Sequence, residues 1–434
     1  MINSKYKYIH NKKIKGSIFY LLLFHLIFAI NSSVANAQEK ALSFKDCIKE
    51  LKENNKELVA LKYEKEAAIY KLKSSKANYF PSLDANAGAS SNKIDTGLGK
   101  GSDMYNWGLT LSQNLFNGFK DSANVDLAYA NEAQNLANIA IAEARISKEL
   151  KEVFSKIVYL KKYLELSKKI TNRRNENFDV VNLRYEAGNE NKGSFLKAKA
   201  QLKEARFEEK EAKRELDASL FTLAKILGRD SIENLDIKGE VPHTKYNVDS
   251  ETLYLNNHPK LLLSKANVAL SKAQVKIEEG DFYPSIDLTL KTGGSGGSVS
   301  KNIDHSIGVN ANVPILNFGR DTNSLNEAKS NLSSMLERET LSKQEIKSDI
   351  KNAKANFLSS KEKVEVNKDL EEASEVRAEI GRNKYNIGML TFENWDIIEN
   401  DLISYQKSSL RSEYELIVAE ANFENAIGIG VLND

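Results

Sequence analysis

Cysteine, proline and long apolar runs are all scarce in this chain of 434 residues. The single cysteine, Cys47, excludes a disulfide framework and a cysteine-based zinc module. Outside one stretch near the N-terminus there is no window of about 18 apolar residues, which excludes a bundle of membrane-spanning helices. An excess of one charge is lacking too. The 62 Lys+Arg against 60 Asp+Glu give +2, which offers no electrostatic case for nucleic acid. Apart from His10 and His25, the histidines His243, His258 and His305 stand isolated, with no metal-ligand spacing. No G-x-S-x-G, H-E-x-x-H, P-loop or dinucleotide fingerprint occurs, and Gly293 to Gly297 opens no helix that would cradle a phosphate. An enzyme has nothing to stand on, and no cofactor is expected. What is present is a soluble-looking average, 28% charged and 41% hydrophobic, with a mean hydropathy of −0.46. The length allows roughly two or three domains.

The N-terminus reads as an address. Lys5, Lys7, Lys12, Lys13 and Lys15 precede an apolar run from Ile18 to Ile30, and Ala35-Asn36-Ala37 follows. A basic segment, a short apolar segment and a small-x-small site spell a secretory signal over 1–37, cleaved after Ala37; an uncleaved signal anchor is the alternative. Loss of those five lysines leaves 57 basic against 60 acidic residues, a mature charge of −3. No small-residue lipidation box precedes Cys47, so it reads as a buried thiol.

The mature chain is written twice. Tyr79-Phe80-Pro81-Ser82-Leu83-Asp84 is matched by Phe282-Tyr283-Pro284-Ser285-Ile286-Asp287, 203 positions later. A shift of 200 pairs Leu115-Phe116-Asn117 with Ile315-Leu316-Asn317, Lys120-Asp121 with Arg320-Asp321, and Tyr185-x-x-Gly188 with Tyr385-x-x-Gly388. Ordered matches at a nearly constant offset indicate a tandem duplication, which we divide into 38–240 and 241–434. Its period is too long for a solenoid unit.

Within each copy the hydrophobic period switches. Ile146, Leu150, Val153, Ile157, Leu160 and Leu164 recur at heptad spacing inside a proline-free run from Lys120 to about Tyr185, and Ile346, Ile350, Ala353, Phe357 and Val364 repeat that seam. A helix of about 65 residues is roughly 100 Å long, far beyond a globular core, so these helices pack in something elongated. Shorter helices are expected at about 43–80, 191–228, 256–282 and 391–428.

After each Pro-Ser, strict alternation begins. Leu83, Ala85 and Ala87 alternate with Asp84, Asn86 and Gly88; Trp107, Leu109 and Leu111 with Gly108, Thr110 and Ser112. In the second copy Ile286, Leu288 and Leu290 alternate with Asp287, Thr289 and Lys291, and Ile307, Val309 and Ala311 with Gly308, Asn310 and Asn312. Loops at Gly97–Ser102 and Gly293–Ser298 complete two hairpins, about 82–115 and 285–314. Half-buried hairpins on a soluble sheet would alternate in the same way. Segments of about ten residues, a wet face bearing Asp84, Asn86, Asp287, Asn310 and Asn312, and aromatics where helix meets strand favour a membrane barrel. Those aromatics are Tyr79, Phe80, Phe116, Phe119, Phe282, Tyr283 and Phe318. Four strands cannot close a barrel, and open edges in lipid cost several kcal/mol per unpaired group. Two, three or four copies would give eight, twelve or sixteen strands, and a conducting pore favours at least three.

With these features the sequence resembles the TolC-like outer membrane efflux protein family over about 38–434. The resemblance rests on the duplication, on Phe80-Pro81-Ser82 and Tyr283-Pro284-Ser285, on Leu115-Phe116-Asn117-Gly118 and Pro314-Ile315-Leu316-Asn317-Phe318-Gly319, and on Arg184-Tyr185-Glu186-Ala187-Gly188 and Lys384-Tyr385-Asn386-Ile387-Gly388. It implies a mainly α fold with four strands per protomer. As a homotrimer it would complete a twelve-stranded barrel in outer membrane lipid, continued by a long α-helical barrel across the periplasm. The implied function is an exit duct for an efflux pump or type I secretion system, docked on a periplasmic adaptor coupled to an inner-membrane transporter. By resemblance, Ala187, Gly188, Asn189, Ile387, Gly388 and Met389 are the adaptor-contacting tips. The family's gate uses an arginine and two aspartates just past the second Tyr-x-x-Gly turn; here those positions are Leu390, Asn394 and Ile397, without charge. Glu393, Asp396 and Glu399 lie nearby. On the axis any of them would form a ring of like charges, but a solvated outer face is the expectation for each, so the gate carries over as a region. The competing reading is a soluble periplasmic coiled-coil adaptor or scaffold, which explains the heptads but not the strands.

Overall fold

The computed structural model describes residues 41–92, 102–233, 235–243, 251–297 and 303–432; the signal segment, its cleavage site and the 97–101 loop lie outside them. In chain order the elements are α1 (Phe44–Asn54), α2 (Lys56–Ala77), β1 (Ser82–Asn92), β2 (Ser102–Asn117), α3 (Lys120–Glu186), α4 (Lys192–Leu227), α5 (Glu251–Asn256), α6 (Pro259–Gly280), β3 (Ser285–Gly296), β4 (Ile303–Asn312), α7 (Arg320–Asn386) and α8 (Phe392–Ala426). Both α3 and α7 run for 67 residues, about 100 Å each.

Two expectations are corrected. The helix expected over 43–80 breaks at Asn55. Its Oδ1 accepts from the N–H groups of Glu57 and Leu58 at 3.1 and 3.0 Å, capping α2, while Nδ2 donates to the Ile226 carbonyl at 2.8 Å. An N-cap side chain tied to the end of α4 serves a bend better than a continuous helix. The Gly293–Ser298 loop is also largely strand, since β3 extends to Gly296. A Cβ at Gly293 would lie 2.5 Å from the Trp107 carbonyl oxygen, so this glycine lets β3 approach β2 closely.

Helix neighbours define the shape. Towards the sheet the side-by-side order is α2–α3–α6–α7; towards the other end it is α4–α3–α8–α7. The long helix α7 therefore forms one lateral edge throughout, with α2 and α4 on the opposite edge.

The heptad seam supplies the core. Ile146, Leu150, Ile157 and Leu160 are all buried. Ile146, Leu150 and Ile157 meet Phe44, Cys47 and Leu51 of α1 and Leu223 and Leu227 of α4, with Phe44 edge-on to Phe154 at 5.3 Å. In the second half Ile346 and Ile350 pack with Leu261, Phe423 and Ile427. Each such side chain, fully buried, contributes about 1.5–3 kcal/mol.

Burial, followed by Glu50 and Asp46, pushes the Cys47 thiol from 9.0 up to about 12, with Arg229 opposing. At pH 8 its thiolate fraction falls about a thousandfold, and iodoacetamide should label the native protein that much more slowly than the urea-unfolded chain. The fold favours the neutral thiol, so this contribution to stability is complete below pH 9.0 and is lost as the pH rises towards about 12. Equal labelling rates would show that Cys47 is not buried.

Candidate functional site

The sheet comes first. All neighbours are antiparallel in the order β1-β2-β3-β4, leaving β1 and β4 as edges. Opposed residues share a face. The register places Asp84 opposite Thr110, Thr110 opposite Lys291, Asn86 opposite Gly108, Asp287 opposite Asn310, and Ser285 opposite Asn312. Asp84, Asn86, Asp287, Asn310 and Asn312 thus lie on one polar face. The other face carries Leu83, Leu109, Leu111, Leu290, Ile307 and Val309, with Leu83 68% and Ile307 74% exposed in the protomer. Glycines make room on the polar side: a Cβ at Gly88 would meet Asn106 Oδ1 at 2.4 Å, and one at Gly108 would meet Asn86 Oδ1 at 2.8 Å.

The return from strand to helix needs a sharp turn. Gly118 and Phe119 have φ of 66° each, and Phe318 and Gly319 have 49° and 83°. Left-handed backbone costs a non-glycine residue about 1–2 kcal/mol, so each junction holds one strained phenylalanine beside one unstrained glycine, in opposite order. Asparagine and aspartate pin the turn. Asn117 Oδ1 accepts from the Asp121 N–H at 3.2 Å, Asn114 Nδ2 donates to Asp121 at 3.0 Å, and Asn317 Nδ2 donates to Asp321 at 2.5 Å. The aromatics named from the sequence gather here. Phe119 stacks edge-on between Phe116 at 5.1 Å and Tyr283 at 5.7 Å, while Tyr79, Phe80, Phe282 and Phe318 are exposed.

At the far end the two helical hairpins turn at Gly188 and Gly388, with φ of 74° and 77°. Ala187, Gly188, Asn189, Ile387, Gly388 and Met389 are exposed, Ile387 and Met389 by 70% and 75%. Just inside the tips, Tyr185 stacks on Phe195 at 5.0 Å and Tyr385 on Trp395 at 4.2 Å. Arg184 joins the hairpins: Nη1 donates to the Tyr385 carbonyl at 3.0 Å, and the guanidinium lies over the Tyr385 ring. The Tyr385 hydroxyl donates to Glu190 at 3.2 Å. Burial, then Glu190, raises the pKa of this phenol.

The gate region splits in two. Glu393, Asn394 and Ile397 are exposed, and Leu390 is half-buried. Asp396 and Glu399, expected on a solvated face, are instead 3% and 0% exposed inside the protomer. The reason is helical phase: Phe392, Trp395, Asp396, Glu399 and Ile403 share the inward stripe of α8. Asp396 lies 2.6 Å from Lys197 Nζ and 3.7 Å from Arg174 Nη1, and accepts from Gln201 at 2.8 Å; Glu399 accepts from Arg382 at 3.0 Å. Arg174, Lys197, Gln201 and Glu190 were missed from sequence. The Phe195 and Trp395 partners of the two motif tyrosines stand 200 residues apart, a signal that could have found them.

The model of the family described as outer membrane efflux protein matches residues 47–229 and 252–429. The chain belongs to this family. Among curated relatives, the outer membrane efflux protein BepC of Brucella suis is 22% identical over 327 residues, covering 74% of this chain and 71% of BepC. Among solved structures, the Campylobacter jejuni CmeC outer membrane channel aligns with a TM-score of 0.80 at 17% identity, covering 90% of this chain and 87% of that one. The open state of the Neisseria gonorrhoeae MtrE outer membrane channel aligns with a TM-score of 0.76 at 18% identity, covering 90% of each. The fold of this outer membrane efflux protein is thus that of solved outer membrane channels. No described helix is long and apolar enough to cross a membrane.

Proposed function

We propose that the protein is the outer-membrane exit duct of a tripartite efflux pump or type I secretion system, assembled as a homotrimer. The observation that carries this reading is the sheet: one exposed apolar face, one polar face and two unpaired edges, joined to helices about 100 Å long. In lipid the edges of β1 and β4 need partners, and three copies supply a twelve-stranded barrel with a wet interior wide enough to conduct. Asp84, Asn86, Asp287, Asn310 and Asn312 line that lumen, and the junction aromatics form the membrane-interface girdle.

The lateral helical edges support the same assembly. Leu341, Val366, Val376 and Ile380 are exposed on α7, and Tyr63, Tyr70, Phe207 and Phe221 on the α2–α4 edge. Apolar surface on both edges of an arc matches a ring of copies. Within the duct, the 38–240 and 241–434 repeats each contribute one hairpin to the barrel and one helical hairpin to its wall. The tips around Gly188 and Gly388 take the periplasmic adaptor, whose transporter sits in the inner membrane. The periplasmic gate lies in the region of Leu390, Glu393, Asn394, Asp396 and Ile397, and the signal peptide is removed after Ala37.

Membership in an outer membrane family weighs against a soluble periplasmic adaptor or scaffold. Fractionation and planar-bilayer recording test the duct. Mature protein should require detergent for extraction, and purified trimers should show stepwise conductance; recovery in the soluble periplasm would sink the proposal.

A further inference from the structure

Charge on the two edge helices of the wall is sorted by side. On α7 the bases turn inward: Lys363, Lys368 and Arg377 lie 2.9, 3.6 and 3.1 Å from Glu415, Glu413 and Asp401 of α8. The acids Glu362, Glu365, Asp369 and Glu372 stay exposed, spaced 3, 4 and 3 residues apart. On α4 the signs are reversed. Glu204, Glu208, Glu211 and Glu215 form one line, from which Glu208 accepts from Lys407 of α8 at 2.7 Å and Glu215 lies 2.9 Å from Lys156 of α3. Lys203, Arg206, Lys210 and Lys213 form another, exposed and again spaced 3, 4 and 3.

The acidic and the basic line lie at one height on opposite edges. Lys203 is 15 residues past the Gly188 turn and Glu372 is 16 before the Gly388 turn, so both lines begin about 22–24 Å above the tips. Because α4 climbs from its tip and α7 descends to its own, α7 of one copy meets α4 of the next antiparallel. The two lines then match end to end, Lys203 level with Glu372 and Lys213 with Glu362. The internal repeat shows the same pairing inside one copy. A shift of 200 carries α3 onto α7 and α8 onto α4, so the α3–α8 seam within a copy corresponds to the α7–α4 seam between copies. Lys162 of α3 lies 3.7 Å from Glu413 of α8. The equivalent residues are Glu362 and Lys213, the same pair with its signs exchanged. Val366 and Leu370 beside the acids and Phe207 beside the bases are exposed by 56, 39 and 55%. Apolar surface set among charges of opposite sign on the two edges fits a facing helix.

Resting on the homotrimeric duct, we propose that these lines form an electrostatic seam for a second copy of this chain, with Lys203, Arg206, Lys210 and Lys213 of one copy facing Glu372, Asp369, Glu365 and Glu362 of the next. Each edge repels its own kind, which disfavours α4 against α4 and α7 against α7. The charges thereby impose head-to-tail addition, the arrangement that closes a ring instead of a face-to-face pair.

Cross-linking of engineered thiols in detergent-extracted trimers tests the seam. Ala200→Cys on α4 and Ala373→Cys on α7 replace exposed residues beside the two lines, and Cys47, buried in the α1–α3 core, does not compete. A chain carrying both cysteines should be captured as covalent trimers by a short bismaleimide, and a chain carrying either one alone should give neither dimers nor trimers. Arg206→Glu/Lys210→Glu in the two-cysteine chain should slow capture at least about ten-fold at low salt, and so should Glu365→Lys/Asp369→Lys. The two reversals together should return it to within about three-fold of the parent, and about 1 M NaCl should relieve either single reversal, because screening then acts within about 3 Å. All four reversed positions are exposed, so each protomer keeps its core. Capture of the single-edge reversals at the parental rate, or dimers from one cysteine alone, would overturn the seam, and so would a combined reversal no better than either. Native gels separate this from the duct: a parent without trimers strikes the homotrimer itself, whereas trimers lacking the 200/373 capture strike only the seam.

Discussion

Lys151→Ala should destabilise the protein by about 3–5 kcal/mol at neutral pH, the largest single effect expected from any charge in the wall. Lys151 is 0% exposed on α3, and its ammonium bonds to Glu424 and lies 3.4 Å from Glu420, both near the end of α8 and 1–2% exposed. His243 reaches the outer oxygen of Glu420 at 2.7 Å. One buried cation thus joins two buried carboxylates across the α3–α8 seam. Its removal takes the buried cation away from both carboxylates. Removing all three charges is a different matter. Lys151→Met with Glu420→Gln and Glu424→Gln should recover most of the loss, since a well-packed neutral set commonly equals a buried ion cluster. Denaturant unfolding of the detergent-solubilised protein reads both. A loss below about 1 kcal/mol for Lys151→Ala would show that the cluster is hydrated.

Gly118→Ala should prevent barrel assembly, while the same change at Gly388 should cost about 1 kcal/mol and leave trimers intact. Both glycines have positive φ, 66° and 77°, so the backbone penalty is shared. Space separates them. A Cβ at Gly118 would fall 2.4 Å from the carbonyl oxygen of Gly280, whereas nothing lies within 4 Å of the same atom at Gly388. Backbone cannot give way at Gly118 without moving the end of α6, and α6 leads directly into β3. The strand-to-helix turn of one copy is therefore locked to the helix-to-strand turn of the other. Native gels of membrane extracts decide the matter: Gly118→Ala trimers at wild-type yield would refute the argument.

Much of this architecture was legible in the sequence because it is periodic. The heptad from Ile146 to Leu164 and the two-residue alternation from Leu83 onward are local properties of a helix and a strand, visible without knowing any neighbour. The polar face bearing Asp84, Asn86 and Asp287 follows from alternation alone, and the register agrees. Breaks and close approaches were less legible. Asn55 looked like one more polar residue in a helix until its amide was seen to reach Ile226, and Gly293 looked like a loop until Trp107 was found against it.

The sequence by itself determined the period of every long element, the positions where helix yields to strand, the doubling of the pattern and the family. Only the tertiary structure decided which charges are solvated. Asp396 and Glu393 lie three residues apart among similar neighbours, yet one is buried against Arg174 and Lys197 and the other is exposed. Charge pattern along one helix cannot tell them apart. The partners come from helices some 200 residues away in the chain, and the cost of burying a carboxylate is met only where those helices converge.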